Sequence, residues 1–203
     1  MKVLAINGSP RPDGNTAYAI GLVLGQLEQQ GIETEVIQVG GKPFRGCVGC
    51  GGCSQTGRCV IDDGLNELAD KMEEADGILV GTPVYYAGIN GTLKCFLDRA
   101  FYSRGSKMRH KVGAGLAAVR RTGGMTALAD IEHFFTISEM LIPASNYWNV
   151  IHGRAKGEAQ QDVEGRQVME TLGRNMAWLL AMRQQGLATA PEYQKKQAMN
   201  FIR

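Results

Sequence analysis

Long runs of any one character are missing from this sequence. No stretch approaches the roughly 18 consecutive apolar residues that a membrane span requires. The opening run, Val3-Leu4-Ala5-Ile6 behind Met1-Lys2, is too short for the apolar core of a signal peptide. There is no block of like charge and no basic amphipathic helix, and the net charge is +2. Nothing therefore calls for nucleic acid or an anionic membrane surface as a partner. Internal repeats and low-complexity segments are also missing. Histidine is scarce: His110, His133 and His152 show neither metal spacing nor an evident nucleophile partner. The charged fraction is 21%, too low for disorder, beside an ordinary hydrophobic 44%. A chain of 203 residues buries about 70% of its unfolded surface and needs no disulfides to hold a core. Of five cysteines, four fall between Cys47 and Cys59. An odd, clustered count favours reduced thiols acting as ligands, and the cytoplasm is the expected compartment.

What is present is an alternation. Short apolar runs at Val3–Ile6, Gly77–Gly81 and Val112–Val119, the β-branched Thr34–Val39 and the segment Ile142–Tyr147 read as five strands. Helical patterns stand between and after them, starting at Asn15 and covering about 91–102 and 126–140, with a last one after Asp162. Asp62 and Asp63 offer capping carboxylates for another helix carrying Leu65, Leu68 and Met72. Strands apolar on both faces that alternate with helices predict a doubly wound, five-stranded parallel sheet of order 2-1-3-4-5. Helices cover both of its faces, and a ligand belongs at the carboxyl ends of the strands.

At the first of those ends stands Gly8-Ser9-Pro10-Arg11-Pro12-Asp13-Gly14-Asn15-Thr16, running into a helix. A helix N-terminus offers unpaired N–H groups and partial positive charge. Ser9, Asn15 and Thr16 add short hydrogen-bonding side chains, and Arg11 adds a fork suited to phosphate oxygens. The loop lacks the Gly-Lys-Ser/Thr ending of a P-loop and the spacing of a dinucleotide fingerprint. Cys47, Cys50, Cys53 and Cys59 are spaced C-x2-C-x2-C-x5-C in a glycine-rich loop. That spacing suits an iron–sulfur cubane, less well zinc, and is also compatible with a metal-free thiol loop. Cys95, in an apolar helical stretch, reads as a buried small hydrophobe without function.

These residues carry a resemblance. The phosphate loop, Thr82-Pro83-Val84-Tyr85-Tyr86 with Gly91-Thr92-Leu93-Lys94 and Phe96-Leu97-Asp98-Arg99, and Arg120-Arg121-Thr122-Gly123-Gly124 resemble the NADPH-dependent FMN reductase family of the flavodoxin-like superfamily. The resemblance runs along nearly the whole chain. It implies a flavodoxin-like domain over 1–185, with the cysteine loop 40–62 inserted after the second strand, and a tail over 186–203. By that similarity Ser9, Arg11, Asn15 and Thr16 hold the FMN phosphate, and Pro83, Val84, Tyr85 and Tyr86 line the isoalloxazine. Arg120, Arg121, Gly123 and Gly124 approach its pyrimidine side. On physical grounds an aromatic pair can stack on a flat ring, and a nearby arginine favours an anionic reduced flavin. The cysteine spacing is similar to that of the iron-sulfur flavoproteins. This implies that Cys47, Cys50, Cys53 and Cys59 bind a 4Fe–4S cluster and that the protein is a homodimer or homotetramer. Tyr147 and Trp148 are candidates for a substrate wall. No side chain is assigned acid or base work, because the flavin carries the chemistry. The expected electron donor is NAD(P)H. The acceptor is a flavin, a quinone or a similar small molecule, or the partner is ferredoxin.

Overall fold

The computed structural model describes residues 1–186, 188–194 and 197. A five-stranded parallel sheet runs in the order β2-β1-β3-β4-β5, from β1 (Lys2–Asn7), β2 (Glu33–Gln38), β3 (Gly77–Pro83), β4 (Val112–Val119) and β5 (Val150–His152). The helices are α1 (Asn15–Glu28), the one-turn α2 (Cys53–Thr56), α3 (Leu65–Glu74), α4 (Gly91–Arg104), α5 (Gly124–Ile137) and α6 (Val163–Gln185).

Both faces of the sheet are buried at β1, β3 and β4, which is why these strands read as apolar runs, while the edge strand β2 is partly exposed. Leu4, Ile6, Ile78 and Val80 point into a core closed by α3, α4 and α5, with Leu93, Phe96 and Phe135. Val3, Ala5 and Leu79 point into a second core under α1 and α6, with Ile20, Val23, Met169 and Met176. Truncating one of the larger of these side chains, such as Leu4, Phe96 or Met176, to alanine costs about 2–5 kcal/mol. Among the described residues no helix is long and apolar enough to cross a membrane.

Three expectations need correction. The fifth strand is not Ile142–Tyr147 but Val150–His152. Leu141 makes a single parallel bridge to Val112 at the base of β4, and the chain then leaves the sheet. It rejoins where the Ala117 N–H donates to the Asn149 carbonyl, 2.9 Å away. Pro143 has no N–H to give a ladder, and the excursion carries the exposed Tyr147 and Trp148 to the carboxyl end of the sheet. Secondly, α5 ends at Ile137 rather than Met140. Glu139 turns left-handed (φ 53°), with the Met140 N–H on the Phe135 carbonyl at 3.0 Å and the Glu139 N–H on that of Thr136 at 3.2 Å. This is a Schellman stop built without glycine, and Glu139 is held by Arg109 at 2.7 Å. Thirdly, the cap of α3 is Gly64, left-handed at φ 79°, while Asp63 is turned to Arg99. At the other end of the chain, the Pro191 and Glu192 carbonyls accept from Arg109 at 2.9 and 3.2 Å. Of the tail expected over 186–203, residues 186, 188–194 and 197 are described, and the rest lies outside the described residues.

Candidate functional site

The loops that leave β1, β3 and β4 meet at one end of the sheet. The first is set by a small polar network. Asn7, the last residue of β1, donates to Gln38 Oε1 at 2.9 Å and accepts the Ser9 N–H at 3.0 Å. Gln38 in turn donates to the Ser9 carbonyl and to that of Gly40, the latter at 2.9 Å. The loop carbonyls are thus drawn toward β2. The chain at Gly40 passes so close that a Cβ there would lie 2.1 Å from the Ser9 carbonyl carbon. Ser9 is buried, and its Oγ accepts the Arg11 N–H at 3.1 Å.

Helix α1 begins with Gly14, which has no side chain to cap it, and its first helical bond runs from the Tyr18 N–H to the Gly14 carbonyl. Among the described bonds the N–H groups of Asn15, Thr16 and Ala17 have no acceptor. A helix start left open beside a buried serine and an exposed arginine is an anion cradle. Thr16 is buried in this first turn. The side chain of Asn15 is committed elsewhere. It donates to the Ala155 carbonyl at 2.9 Å and accepts from the Gly157 and Ala159 N–H groups at 3.1 and 3.4 Å. It ties the loop after β5 to the cradle, so only its main-chain N–H is left for an anion. Lys156 pairs with Asp13 in the same tie, which offsets that carboxylate beside the cradle.

The second loop is a tight hairpin, Tyr85 and Gly88 exchanging backbone bonds of 3.0 Å. Tyr86 (φ 48°) and Ala87 (φ 61°) are both left-handed between them, a conformation costly for residues with a Cβ and common at ligand clamps. Buried Thr82 anchors the loop, donating to the Pro83 carbonyl and accepting the Asn90 N–H at 3.1 Å. Asn90 caps α4 through the Leu93 N–H. Tyr85 is half exposed, and Tyr86 stands fully in solvent. Val84 packs against the core, and its N–H donates to the Ala118 carbonyl at 3.0 Å.

Arg120 and Arg121 are both exposed in the third loop. Gly123 (φ 91°) starts α5 without a side-chain cap, and a Cβ on it would lie 2.9 Å from Ala87 Cα. The second and third loops therefore touch at this glycine. Gly124 is buried against Val150. On the β5 side of the third loop lies a cavity of about 390 Å³, walled by Arg121, Met125, Tyr147, Trp148, Val150 and His152. The Tyr147 and Trp148 rings lie 4.7 Å apart. His152, which showed no partner in the sequence, has one: its Nδ1 is 3.1 Å from Asp162 Oδ2, and its N–H donates to the same oxygen at 2.7 Å. Burial pushes the Asp162 carboxyl up, but the Gly165 and His152 N–H groups and the His152 ring more than offset this and hold it below its usual range. The cue was present, since Asp162 caps α6 through the Gly165 N–H. The turn that brings its second oxygen to His152 was not legible.

All four loop cysteines line one small cavity, together with Val48, Val60, Ile61, Arg99 and Tyr102. Their thiols are free. Among the described residues no group of three or more His, Cys, Asp or Glu side chains is placed to hold a metal ion. The four cysteines nevertheless share one small cavity with apolar walls and a buried cation at its edge, and clustered cysteines are the donor type that iron–sulfur clusters use. Cys95 packs against the α3–α4–α5 core, as a small apolar residue does.

The sheet order and the three loops define a flavodoxin-like fold. Consistent with this, an archaeal flavodoxin superposes with a TM-score of 0.60 at 16% identity, over 89% of this chain and 99% of that one. RosB with bound 8-demethyl-8-formylriboflavin-5′-phosphate superposes with a TM-score of 0.71 at 16% identity, over all (100%) of this chain and 92% of that one. Residues 1–155 match the sequence profile of NADPH-dependent FMN reductases. The chain belongs to that family of FMN-dependent oxidoreductases. An iron-sulfur flavoprotein of Methanocaldococcus jannaschii is 38% identical over 185 residues, covering 87% of this chain and 96% of its own length.

Proposed function

We propose that this protein is an NAD(P)H-dependent FMN oxidoreductase that passes electrons to a flavin, a quinone or a similar flat acceptor, and that its cysteine loop holds a 4Fe–4S cluster. The observation that carries the flavin assignment is the open start of α1 beside Ser9 and Arg11, braced by the Asn7–Gln38 network. RosB, with a riboflavin phosphate derivative bound to the same fold, supports it.

The residues divide the work. Ser9, Arg11, Thr16 and the first-turn N–H groups bind the phosphate. Asn15 braces the cradle with its side chain and adds its N–H. The loop Pro83–Tyr86, held by Thr82 and Asn90, presents Val84 and the Tyr85 ring to the isoalloxazine. Arg120, Arg121 and the backbone at Gly123 and Gly124 face its pyrimidine edge. When bound, FMN supplies the redox chemistry, taking up an electron pair and releasing it together or singly. The Tyr147–Trp148 wall admits a planar partner and excludes water from its face. His152, oriented through Nδ1 by Asp162, adds a polar edge to the wall of the same cavity. A cluster bound at Cys47, Cys50, Cys53 and Cys59 supplies one-electron steps. Exposed Ile137, Ile142, Tyr147 and Trp148 suit burial between subunits of a homodimer or homotetramer.

Anaerobic stopped-flow mixing of the FMN-loaded protein with NADPH or NADH tests this. Rapid bleaching of the flavin is expected, and a flavin that neither nucleotide bleaches overturns the reading. A second reading, an electron carrier reduced by ferredoxin without a small-molecule substrate, is favoured by the convergence of four thiols on one cavity. Bleaching by reduced ferredoxin and not by nucleotide would select it.

A further inference from the structure

A fully buried cation has to be explained by what it touches. Arg99, in the third turn of α4, is 2% exposed and is the first among the largest buried side chains. Its Nη1 and Nη2 fork onto the two oxygens of Asp63, at 2.6 and 2.9 Å. Nη1 also donates to the Arg45 carbonyl at 3.1 Å, and Nη2 to that of Ile61 at 3.0 Å. Arg45 precedes the first cysteine of the loop, and Ile61 and Asp63 follow the last. One guanidinium therefore clasps both ends of the cysteine loop.

The ion pair with Asp63 already balances the charge, and the carbonyl contacts already close the loop. One donor is left over, and it is not aimed at solvent or at an oxygen. Nε donates to Cys59 Sγ at 3.2 Å. Cys59 is itself pinned on both sides of its peptide plane by Asn66, which accepts its N–H at 3.0 Å and donates to its carbonyl at 2.8 Å. This clamp fixes the Cys59 backbone beside the guanidinium, so that only rotation about χ1 can carry the sulfur away. Arg99 also forms part of the wall of the cavity that the four thiols share. The same helix starts at Asn90, which bonds to Thr82 in the flavin loop, so α4 fixes the thiol site relative to the flavin loop.

We infer that Arg99 is a positioning residue for the four-cysteine site: through Nε it holds the Cys59 sulfur in place as a thiolate ligand and favours the reduced form of the cluster bound there. The inference rests on the proposal that the loop carries a cluster. Reduction adds one electron, supplied by dithionite in the assay, and breaks no bond; the negative charge on the cluster and its sulfurs rises by one. A fixed N–H donor aimed at a ligand sulfur stabilises that state more than the oxidised one. Hydrogen bonds to sulfur and net charge are the terms that set such potentials. Arginine is needed rather than any cation, because lysine can meet Asp63 but cannot fork onto it and reach the sulfur as well.

The test uses anaerobically purified, FMN-loaded protein: wild type, Arg99→Lys and Arg99→Gln. Iron and sulfide content, the midpoint potential of the cluster and FMN affinity are measured for each. Wild type is expected to hold about four irons per chain. Both variants are expected to bind FMN as wild type does, to lose iron faster to a chelator, and to show a lower cluster potential. Equal potential and equal iron retention in both variants overturn the role of Arg99 while leaving the cluster in place. Wild type that takes up no iron overturns the cluster itself, and the inference with it. Should the variants not fold, pulsed EPR of the reduced wild type grown on 15N-arginine decides the matter. A 15N hyperfine coupling is expected, and its absence overturns the contact.

Discussion

Gly40 gives the sharpest test of how the phosphate cradle is held. A methyl group there would lie 2.1 Å from the Ser9 carbonyl carbon, 2.2 Å from its oxygen and 2.5 Å from the Gly8 oxygen. All three are backbone atoms, so no rotamer can move aside, and Gly40→Ala has to displace either β2's exit or the cradle. β2 is fixed by its register with β1, residue by residue from Glu33 to Gln38. The cradle, whose first-turn N–H groups lack internal partners, is the softer side. Relief of the overlap costs about 1–3 kcal/mol. A cradle displaced far enough to lose one charge-assisted hydrogen bond to phosphate forfeits about 1.5–3 kcal/mol of binding, which is about a 10- to 100-fold rise in the FMN dissociation constant. Fluorescence titration with FMN and with riboflavin separates this from general damage. Affinity for FMN is expected to fall, while that for riboflavin, which has no phosphate, stays within about twofold. An unchanged FMN affinity, or an equal loss for both ligands, would refute the reasoning.

Three further outcomes follow from the same geometry. Arg11→Ala removes an exposed fork and leaves the fold intact; it is expected to weaken FMN binding about tenfold or more, with a smaller salt dependence than wild type in the same titration. Asp162→Ala uncaps α6 and releases His152, and is expected to cost about 1–2 kcal/mol in urea denaturation, with Asp162→Asn retaining most of the cap. Asp63→Asn leaves Arg99 buried with a neutral partner, at an expected cost of about 3–5 kcal/mol near neutral pH. Burial pushes the Asp63 carboxyl up, but Arg99 and the backbone N–H groups outweigh it, so its folded value lies below the ordinary one. Its contribution is therefore complete well above the unfolded value of about 3.9 and is lost as pH falls through the folded one. The stability gap between wild type and Asp63→Asn should close from about pH 5 downward, and a gap that stays constant to pH 2 would contradict the pairing.

Much of the architecture could be read from the chain, and the misses have physical causes. Strands buried on both faces announce themselves because every residue must be apolar, as at Gly77–Val80. An edge strand of three residues, Val150–His152, carries no such pattern. The segment before it, Ile142–Tyr147, reads as a strand from the sequence alone, although Pro143 has no N–H to give a ladder. Helix α5 was drawn too long for a related reason. Its stop lies in the left-handed backbone of Glu139, a residue that propensity places inside helices, held there by Arg109 from another part of the chain.

The site was legible as chemistry and less so as geometry. Ser9, Arg11, the three loops and the four cysteines could be picked out because their residue types suit phosphate, flavin and iron. What the sequence cannot distinguish is a polar side chain that faces a ligand from one spent on holding the loop that does. Asn15 and Asp63 both belong to the second kind, one tying down the loop after β5 and the other balancing Arg99. His152 went the other way, passed over because its partner lies across a turn whose path only the fold defines. In each case the deciding quantity is which donor meets which acceptor at about 3 Å. A buried or half-buried polar group without a partner costs about 1–3 kcal/mol; among the described residues Asn149 Oδ1 is the buried side-chain atom that lacks one, and for the others the partner says whether the task is binding or bracing. By that criterion the first-turn N–H groups of α1 and the thiols of Cys47, Cys50 and Cys53 are, among the described residues, groups still available to a ligand.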